Sequence, residues 1–361
     1  MTTVNSAAKT IILVAPQDMG ISDLIAKNLS HCGFTVIKYE RPAFQYKNFF
    51  ERMVNFFRKL IFRDFSYKAK NQDREGKAML LDFLHQHKQI DYMLTIRPDM
   101  FSDEFLSFLQ EISNKKIGYQ WDGLDRFPDV FSKIHFFDNF FVFDPADIQK
   151  YHQYDLQLIT NFYFDYTQKN QKTSQDENKP PKAYFVGSHL DQRTPTLLKM
   201  LNCLHQSDIE PMFLIAGISG QQHKQSEYKP YSVTFLDKNI SFEENLANVE
   251  SADIVVDILN DVHGGLSFRA FEALYYAKKL ITNNANIAQY DFYDDHNILI
   301  WTDHITPEEI QSFLKKPYRS PNQEIIYKYS FTNWIHYMLG IHPFIALDNC
   351  LRQTTTTHTK Q

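Results

Sequence analysis

Short apolar, β-branched runs recur along this chain, each followed by turn-forming residues and then by a stretch of helical period, and this alternation restricts the fold more than any other feature. Thr10–Ala15 (TIILVA) is the first such run, and Pro16-Gln17-Asp18-Met19-Gly20 is its turn. Ile21 to Cys32 then reads as a helix with Leu24, Ile25 and Leu29 on one face, Gly33 as its stop, and Phe34–Tyr39 (FTVIKY) as a second strand. This is a βαβ unit with a right-handed crossover. Strands are predicted again over Asp91–Ile96, Lys116–Trp121 and Asn139–Phe143, with a helix over Asp103–Ile112. Strands that alternate with helices form parallel sheets covered on both faces.

The alternation breaks once. Thr167–Pro181 (TQKNQKTSQDENKPP) is polar and free of aromatics, in a chain where aromatics make up 15% of residues, and it reads as a linker or a surface loop. A second α/β series follows, with strands over Ala183–Val186, Met212–Ala216, Ser232–Leu236, Asp253–Ile258, Lys279–Thr282 and Asn297–Trp301. At 361 residues the chain suits two domains. The expected division is 1–166, a linker over 167–181, a second Rossmann-like domain over 182–325, a helical segment over 326–351 that returns to the first domain, and a disordered tail over 352–361.

Bulk properties narrow the function. A net charge of -5 argues against general nucleic-acid binding, which asks for a basic footprint. Cys32, Cys203 and Cys350 are widely spaced and share no metal-ligand pattern, which points to a reducing compartment. Met1–Thr10 lacks a signal-peptide core, and no apolar run approaches the ~20 residues of a membrane span. The expected location is the cytoplasm.

The most informative segment starts at Ala252 and reads ADIVVDILNDVHGGLSFRAFEALYYAKKLITNN. A buried strand ends at Asp257, a loop leads to Gly264-Gly265, and a helix begins near Ser267. With only 11 glycines in the chain, a Gly-Gly pair is not casual. Glycines let backbone N–H groups approach a ligand, Ser267 suits the helix cap, and a helix N-terminus favours an anion such as a diphosphate. Arg269 in the first turn adds a charge-assisted bond to the same phosphate. Glu272 follows about one turn later, where a carboxylate can accept both hydroxyls of a ribose.

GGLSFRAFEALYYAKKLITNN, followed by IAQYDFYDDHNILIW, resembles the donor-binding region of bacterial GT-B glycosyltransferases, closest to the CgeB-like and lipopolysaccharide or capsule biosynthesis proteins. YFVGSHLDQR (Tyr184–Arg193), DYMLTIRPDMFSDEFL and IGYQWDGLDRFPDV fit the same pattern, so the resemblance spans about Asp91 to Trp334. It implies a GT-B fold: two Rossmann-like domains, an acceptor-side N-terminal one and a nucleotide-sugar donor C-terminal one, an active-site cleft between them and a C-terminal helix crossing back. Carried over by position, Gly264, Gly265, Ser267 and Arg269 would hold the donor diphosphate and Glu272 the ribose. Gly187, Ser188 and Arg193 would line the opposite wall of the donor site. Retaining members of this fold carry two glutamates with seven residues between them. Here the second would be Glu272, and Gly264 stands at the place of the first, which favours inversion.

An inverting transferase needs a base for the acceptor hydroxyl. Asp122 stands just past a predicted strand end, where open α/β sheets bind ligands, and is the first candidate. Asp18, in the first βα loop, is the second. Arg97, also at a strand end, suits an anionic acceptor or the donor phosphate, or else a salt bridge with Asp99 or Asp103. The Phe/Tyr-rich stretch 41–70, where Arg and Lys outnumber Glu51 and Asp64, is a candidate for peripheral contact with the inner face of the cytoplasmic membrane and a lipid-linked glycan acceptor, or else an ordinary amphipathic helix. No Asp-x-Asp triplet or His/Cys cluster is present, so no metal and no cofactor beyond the nucleotide-sugar co-substrate is expected. Two rival readings share these loops: a nucleotide-sugar epimerase, and a non-catalytic binding or assembly protein of a polysaccharide apparatus.

Overall fold

The computed structural model describes residues 8–41, 49–50, 53–54, 67–84, 90–167, 179–259 and 264–347. The stretches 168–178 of the expected linker, most of 41–70 and the 352–361 tail therefore lie outside the described residues. The chain divides into two compact units, one of Met1–Leu158 with Met338–His342 and one of Ile159–Tyr337 with Pro343–Gln361.

The first unit runs β1 (Thr10–Pro16), α1 (Ile21–His31), β2 (Thr35–Arg41), α2 (Tyr67–Leu84), β3 (Ile90–Ile96), α3 (Asp103–Ile112), β4 (Ser113–Gln120), β5 (Asn139–Val142), α4 (Pro145–Lys150) and β6 (Leu156–Leu158). Its six strands pair in parallel in the order β2-β1-β3-β4-β5-β6. Ile11 to Ala15 of β1 are buried throughout, because a central parallel strand is covered on both faces. α1 buries Ile21, Leu24, Ile25 and Leu29, and Gly33, at φ 90°, closes it: Gly33 N–H donates to Ser30 O and Phe34 N–H to Leu29 O.

α2 covers β2 with an unusual inner face of Asp73, Gly76 and Leu80. Gly76 is fixed by close approach, since a Cβ there would lie 2.4 Å from Cζ of Tyr39. The Tyr39 hydroxyl donates to Gln72 O at 3.0 Å, and Asp73 accepts from the Ser102 N–H at 2.7 Å. Helix and sheet thus meet through a ring and a buried carboxylate, beside the apolar core of Ile12, Val14, Met93, Phe105 and Leu109.

The second unit runs β7 (Lys182–Ser188), α5 (Thr194–Gln206), β8 (Glu210–Ala216), α6 (Gln222–Gln225), β9 (Val233–Leu236), α7 (Phe242–Ser251), β10 (Ile254–Asp257), α8 (Phe268–Tyr275), β11 (Lys279–Thr282), β12 (Ile298–Ile300), α9 (Pro307–Lys315), α10 (Gln323–Lys328) and α11 (Phe331–Leu339). The strand order is β12-β11-β10-β7-β8-β9, again all parallel. Counted from β7, this is the doubly wound order 3-2-1-4-5-6. Segment Ile159–Phe164 belongs to this unit. It is buried against α11, where Trp334 Nε1 donates to Thr160 O at 3.0 Å and its ring lies 4.5 Å from that of Phe162.

Each predicted strand occurs, with ends moved by up to three residues. The predicted helical segment 326–351 holds the end of α10 and the whole of α11, and β6 and α2 were not foreseen.

Candidate functional site

In the second sheet the chain steps one way from β7 to β8 and the other way to β10, so the loops after β7 and β10 flank the switch point where open α/β sheets bind ligands. Both predicted donor segments lie on these loops. Gly187 and Ser188 end β7, and Arg193 immediately precedes α5. Asp257 ends β10, and Ser267 is the N-cap of α8, its Oγ accepting from the Arg269 N–H at 3.2 Å.

Arg269 ties the two loops together. Its Nη2 donates to Val186 O at the end of β7, and its Nη1 lies 3.4 Å from Oδ1 of Asp257. Asp257, 3% exposed, also accepts from Ser267 Oγ at 2.9 Å and from Thr282 Oγ1 at 3.4 Å. On the β7 side, Arg193 Nη2 donates to Ser188 O. The two guanidinium groups then meet at one ring: Cζ of Arg193 is 5.2 Å and Cζ of Arg269 is 5.6 Å from the centroid of buried Phe185. Burial, and after it the charge of Arg269, push Arg193 down to about 10. A pair of neighbouring cations beside a helix N-terminus is an arrangement that a doubly charged anion relieves. Gly187 makes room for it, since a Cβ there would stand 2.9 Å from Nη2 of Arg193 and 3.0 Å from Cζ of Phe185.

The glycine loop is held from behind. Asn284 Nδ2 donates to Gly265 O at 3.2 Å, Asn286 Nδ2 to Gly264 O at 3.0 Å, and Asn161 Nδ2 to Leu266 O at 2.9 Å. Three amides thus fix three successive carbonyls and set the path into α8. The preceding residues 260–263, His263 among them, lie outside the described residues.

Glu272 is enclosed, 2% exposed. Asn245 Nδ2, from α7, is 3.4 Å from both carboxylate oxygens, and the Tyr184 hydroxyl on β7 donates to Asn245 Oδ1 at 3.1 Å. Burial pushes Glu272 up to about 7, against the opposing influence of Arg269 and Asn245. In this conformation its carboxylate faces Asn245.

The first unit has a switch point of its own, between β1 and β3, and Asp18, Arg97 and Asp122 follow β1, β3 and β4 there. Arg97 has a left-handed backbone, φ 56°, a conformation that costs a non-glycine residue on the order of 1 kcal/mol or more. Its guanidinium is bidentate on Asp99 (Nε to Oδ1 2.8 Å, Nη2 to Oδ2 2.7 Å), donates through Nη1 to Asp122 Oδ2 at 2.8 Å, and stacks 3.7 Å above the Phe127 ring. Of the salt-bridge partners weighed for it, Asp99 is taken, whereas Asp103 pairs with Lys133. Asp122 Oδ1 also accepts from Arg126 Nη1 at 2.9 Å.

Sequence reasoning gave no role to Asp257, Phe185 or the Asn284–Asn286 amides. Asp257 carried a signal, a carboxylate ending an otherwise apolar buried strand; the amides carried none, because their targets are carbonyls 19 and 22 residues away. Among the described residues, no group of three or more His, Cys, Asp or Glu side chains is placed to hold a metal ion, and no helix is long and apolar enough to cross a membrane.

No protein-family model matches the chain, and no curated protein is similar to it in sequence. Solved structures do match. OtsA in its apo form is 9% identical with a TM-score of 0.52, covering 94% of this chain and 100% of that one. A Listeria monocytogenes structure assigned as a UDP-N-acetylglucosamine 2-epimerase is 8% identical with a TM-score of 0.50, at 94% and 100% coverage. The apo form of the lipopolysaccharide outer core galactosyltransferase WaaB is 12% identical over 96% of each chain, with a TM-score of 0.44. The two parallel six-stranded sheets with their flanking helices make this the GT-B fold.

Proposed function

We propose that the chain is a metal-independent glycosyltransferase that binds a nucleotide-sugar at the β7/β10 switch point and passes the sugar to a hydroxyl of a surface-glycan acceptor, such as a lipopolysaccharide or capsule intermediate. One observation carries the reading: Arg193 and Arg269 converge on Phe185 beside the N-terminus of α8. In this role Gly264, Gly265, the N-cap Ser267 and Arg269 hold the diphosphate, and Gly187, Ser188 and Arg193 form the other wall. The two cations and the helix N-terminus stabilise the leaving diphosphate without a metal. Glu272 is the ribose partner in this scheme, and it must exchange Asn245 for the sugar to serve.

A thermal-shift screen against UDP, GDP, dTDP, ADP and CMP with their common sugars tests the reading. A nucleotide at about 100 times its Kd stabilises by about 2.7 kcal/mol, so one of these ligands is expected to raise Tm clearly. No shift with any of them contradicts the donor site. An epimerase using the same loops would yield an altered nucleotide-sugar without acceptor, so product analysis separates it from a transferase.

The reading places the chain in the cytoplasm and extends to the basic, Phe-rich stretch 41–70, for which we propose contact with an anionic membrane surface that carries a lipid-linked acceptor. Its described residues Phe49 and Phe50 are 74% and 75% exposed. Co-sedimentation with anionic liposomes at low salt is expected. Sedimentation equal to that with neutral liposomes contradicts the contact.

A further inference from the structure

Glu272 lies little more than one turn past the Ser267 cap, on the helix that starts at the β7/β10 switch point, yet its side chain is enclosed, 2% exposed. Among the described residues its carboxylate accepts from one side chain, the Asn245 amide of α7. Nδ2 is 3.4 Å from each oxygen, against about 2.9 Å for an ordinary N–H···O bond. The amide is not free to turn and shorten the contact. Its Oδ1 accepts from the Tyr184 hydroxyl at 3.1 Å, which fixes the edge that Glu272 meets, and Tyr184 is itself fully buried in β7. The charged and titratable groups facing Glu272 are Arg269 and Tyr276 of its own helix and its end, Asp257 of β10 and Tyr184 of β7. From α7 it meets the neutral Asn245, while the adjacent Glu244 acts on Tyr184. Burial outweighs Arg269 and Asn245 and pushes the carboxyl up to about 7. A buried carboxylate served by one stretched amide is poorly satisfied, whereas two vicinal hydroxyls would give it short, charge-assisted O–H···O bonds.

We propose that Asn245, aligned by Tyr184, is a latch that holds Glu272 out of the donor site, and that the vicinal hydroxyls of a nucleotide's ribose release it. The inference rests on the donor-site reading and lies wholly within the second unit. It adds Asn245 and Tyr184 as positioning residues that act through Glu272 and select for ribose. Phosphates settle on Arg193, Arg269 and the α8 N-terminus with the latch shut, and only a sugar carrying both hydroxyls draws the carboxylate out. A nucleotide without them binds through its phosphates and base alone. Opening exchanges a buried carboxyl that holds its proton for an ionised one bonded to the ribose, and the proton goes to solvent. Ribose binding consequently strengthens as pH rises through about 7 and levels off above it.

Titration calorimetry at pH 6 and pH 8 with UDP, GDP, ADP and CMP, each beside its 2′,3′-dideoxy counterpart, tests the latch. For the nucleotide that binds, the wild type is expected to prefer the ribose form at least about ten-fold at pH 8, from hydrogen bonds to a charged group. Most of that preference should be lost at pH 6, where about a tenth of Glu272 is ionised. The ratio cancels the titration of the phosphates, which both forms share. Asn245→Ala should bind the ribose form about five-fold more tightly at pH 8 and little differently at pH 6, and should bind the dideoxy form as the wild type does. Tyr184→Phe should move the same way by less. Glu272→Gln should show a smaller preference, equal at both pH values. Equal wild-type affinity for the two forms overturns the latch, as does a preference that does not change with pH. Unchanged or weaker ribose binding by Asn245→Ala at pH 8, with dideoxy binding intact, overturns it too. If Asn245→Ala loses both forms by misfolding, the wild-type ratio at the two pH values decides alone. A chain that binds dTDP and none of these ribonucleotides also overturns the latch. Binding of no nucleotide at all removes the donor reading instead, and the latch falls with it.

Discussion

Replacing Glu272 by glutamine is expected to stabilise the chain above pH 7 by on the order of 3 kcal/mol and to change little at pH 5. The carboxyl is 2% exposed and pushed from an ordinary 4.5 up to about 7, chiefly by burial. Because the folded value is raised, the folded state holds the proton more tightly than the unfolded one. The resulting stability is fully present below about pH 4.5, is lost as pH rises, and is gone above about 7. Glutamine keeps the shape and an oxygen for the Asn245 donor, and it never ionises. Urea midpoints of both proteins between pH 5 and 9 decide the matter. The difference between them isolates Glu272 from other carboxyls raised by burial, such as Asp147, which stands at about 6. A variant less stable than wild type at pH 8 would refute this account of the residue.

Arg269→Ala is expected to weaken nucleoside diphosphate binding about 100-fold, since hydrogen bonds to charged groups contribute about 1.5–3 kcal/mol each. The loss also removes the clamp between Val186 O and Asp257, leaving Asp257 with Ser267 and Thr282. Arg269→Lys should recover only part of the affinity, because an ammonium cannot serve the carbonyl, the carboxylate and a phosphate in one plane. Titration calorimetry with the nucleoside diphosphate and with the parent nucleoside separates the phosphate contribution from that of the base. Equal affinity of wild type and Arg269→Ala for the diphosphate would remove Arg269 from the site.

The strands were legible because parallel, doubly covered strands are short continuous apolar runs, and β1 and β10 have hardly an exposed atom. α2 escaped because its inner face is Asp73, Gly76 and Leu80: the period is helical, but its carriers are a carboxylate and a glycine, which no hydrophobic pattern registers. The division of the chain was less visible still. Ile159–Phe164 continues the aromatic character of the first unit's last strands, yet its rings pack on Phe268, Phe331 and Trp334 of the second. At the switch point, glycines, the cap and the arginines announce themselves through residue type and spacing. What holds them does not: Asp257 and the asparagines act through distances in space, and Glu272, ordinary for a helix surface, proves to be buried. Asp18 and Asp122 look alike in sequence, and only the guanidinium partners tell them apart.

A crystal structure of the chain with the nucleoside diphosphate selected by the stabilisation screen tests the central claim most directly. The account predicts diphosphate oxygens within hydrogen-bond distance of Arg193, Arg269 and the first N–H groups of α8. A nucleotide bound away from the β7/β10 switch point, or with its phosphates turned from both arginines, would contradict it.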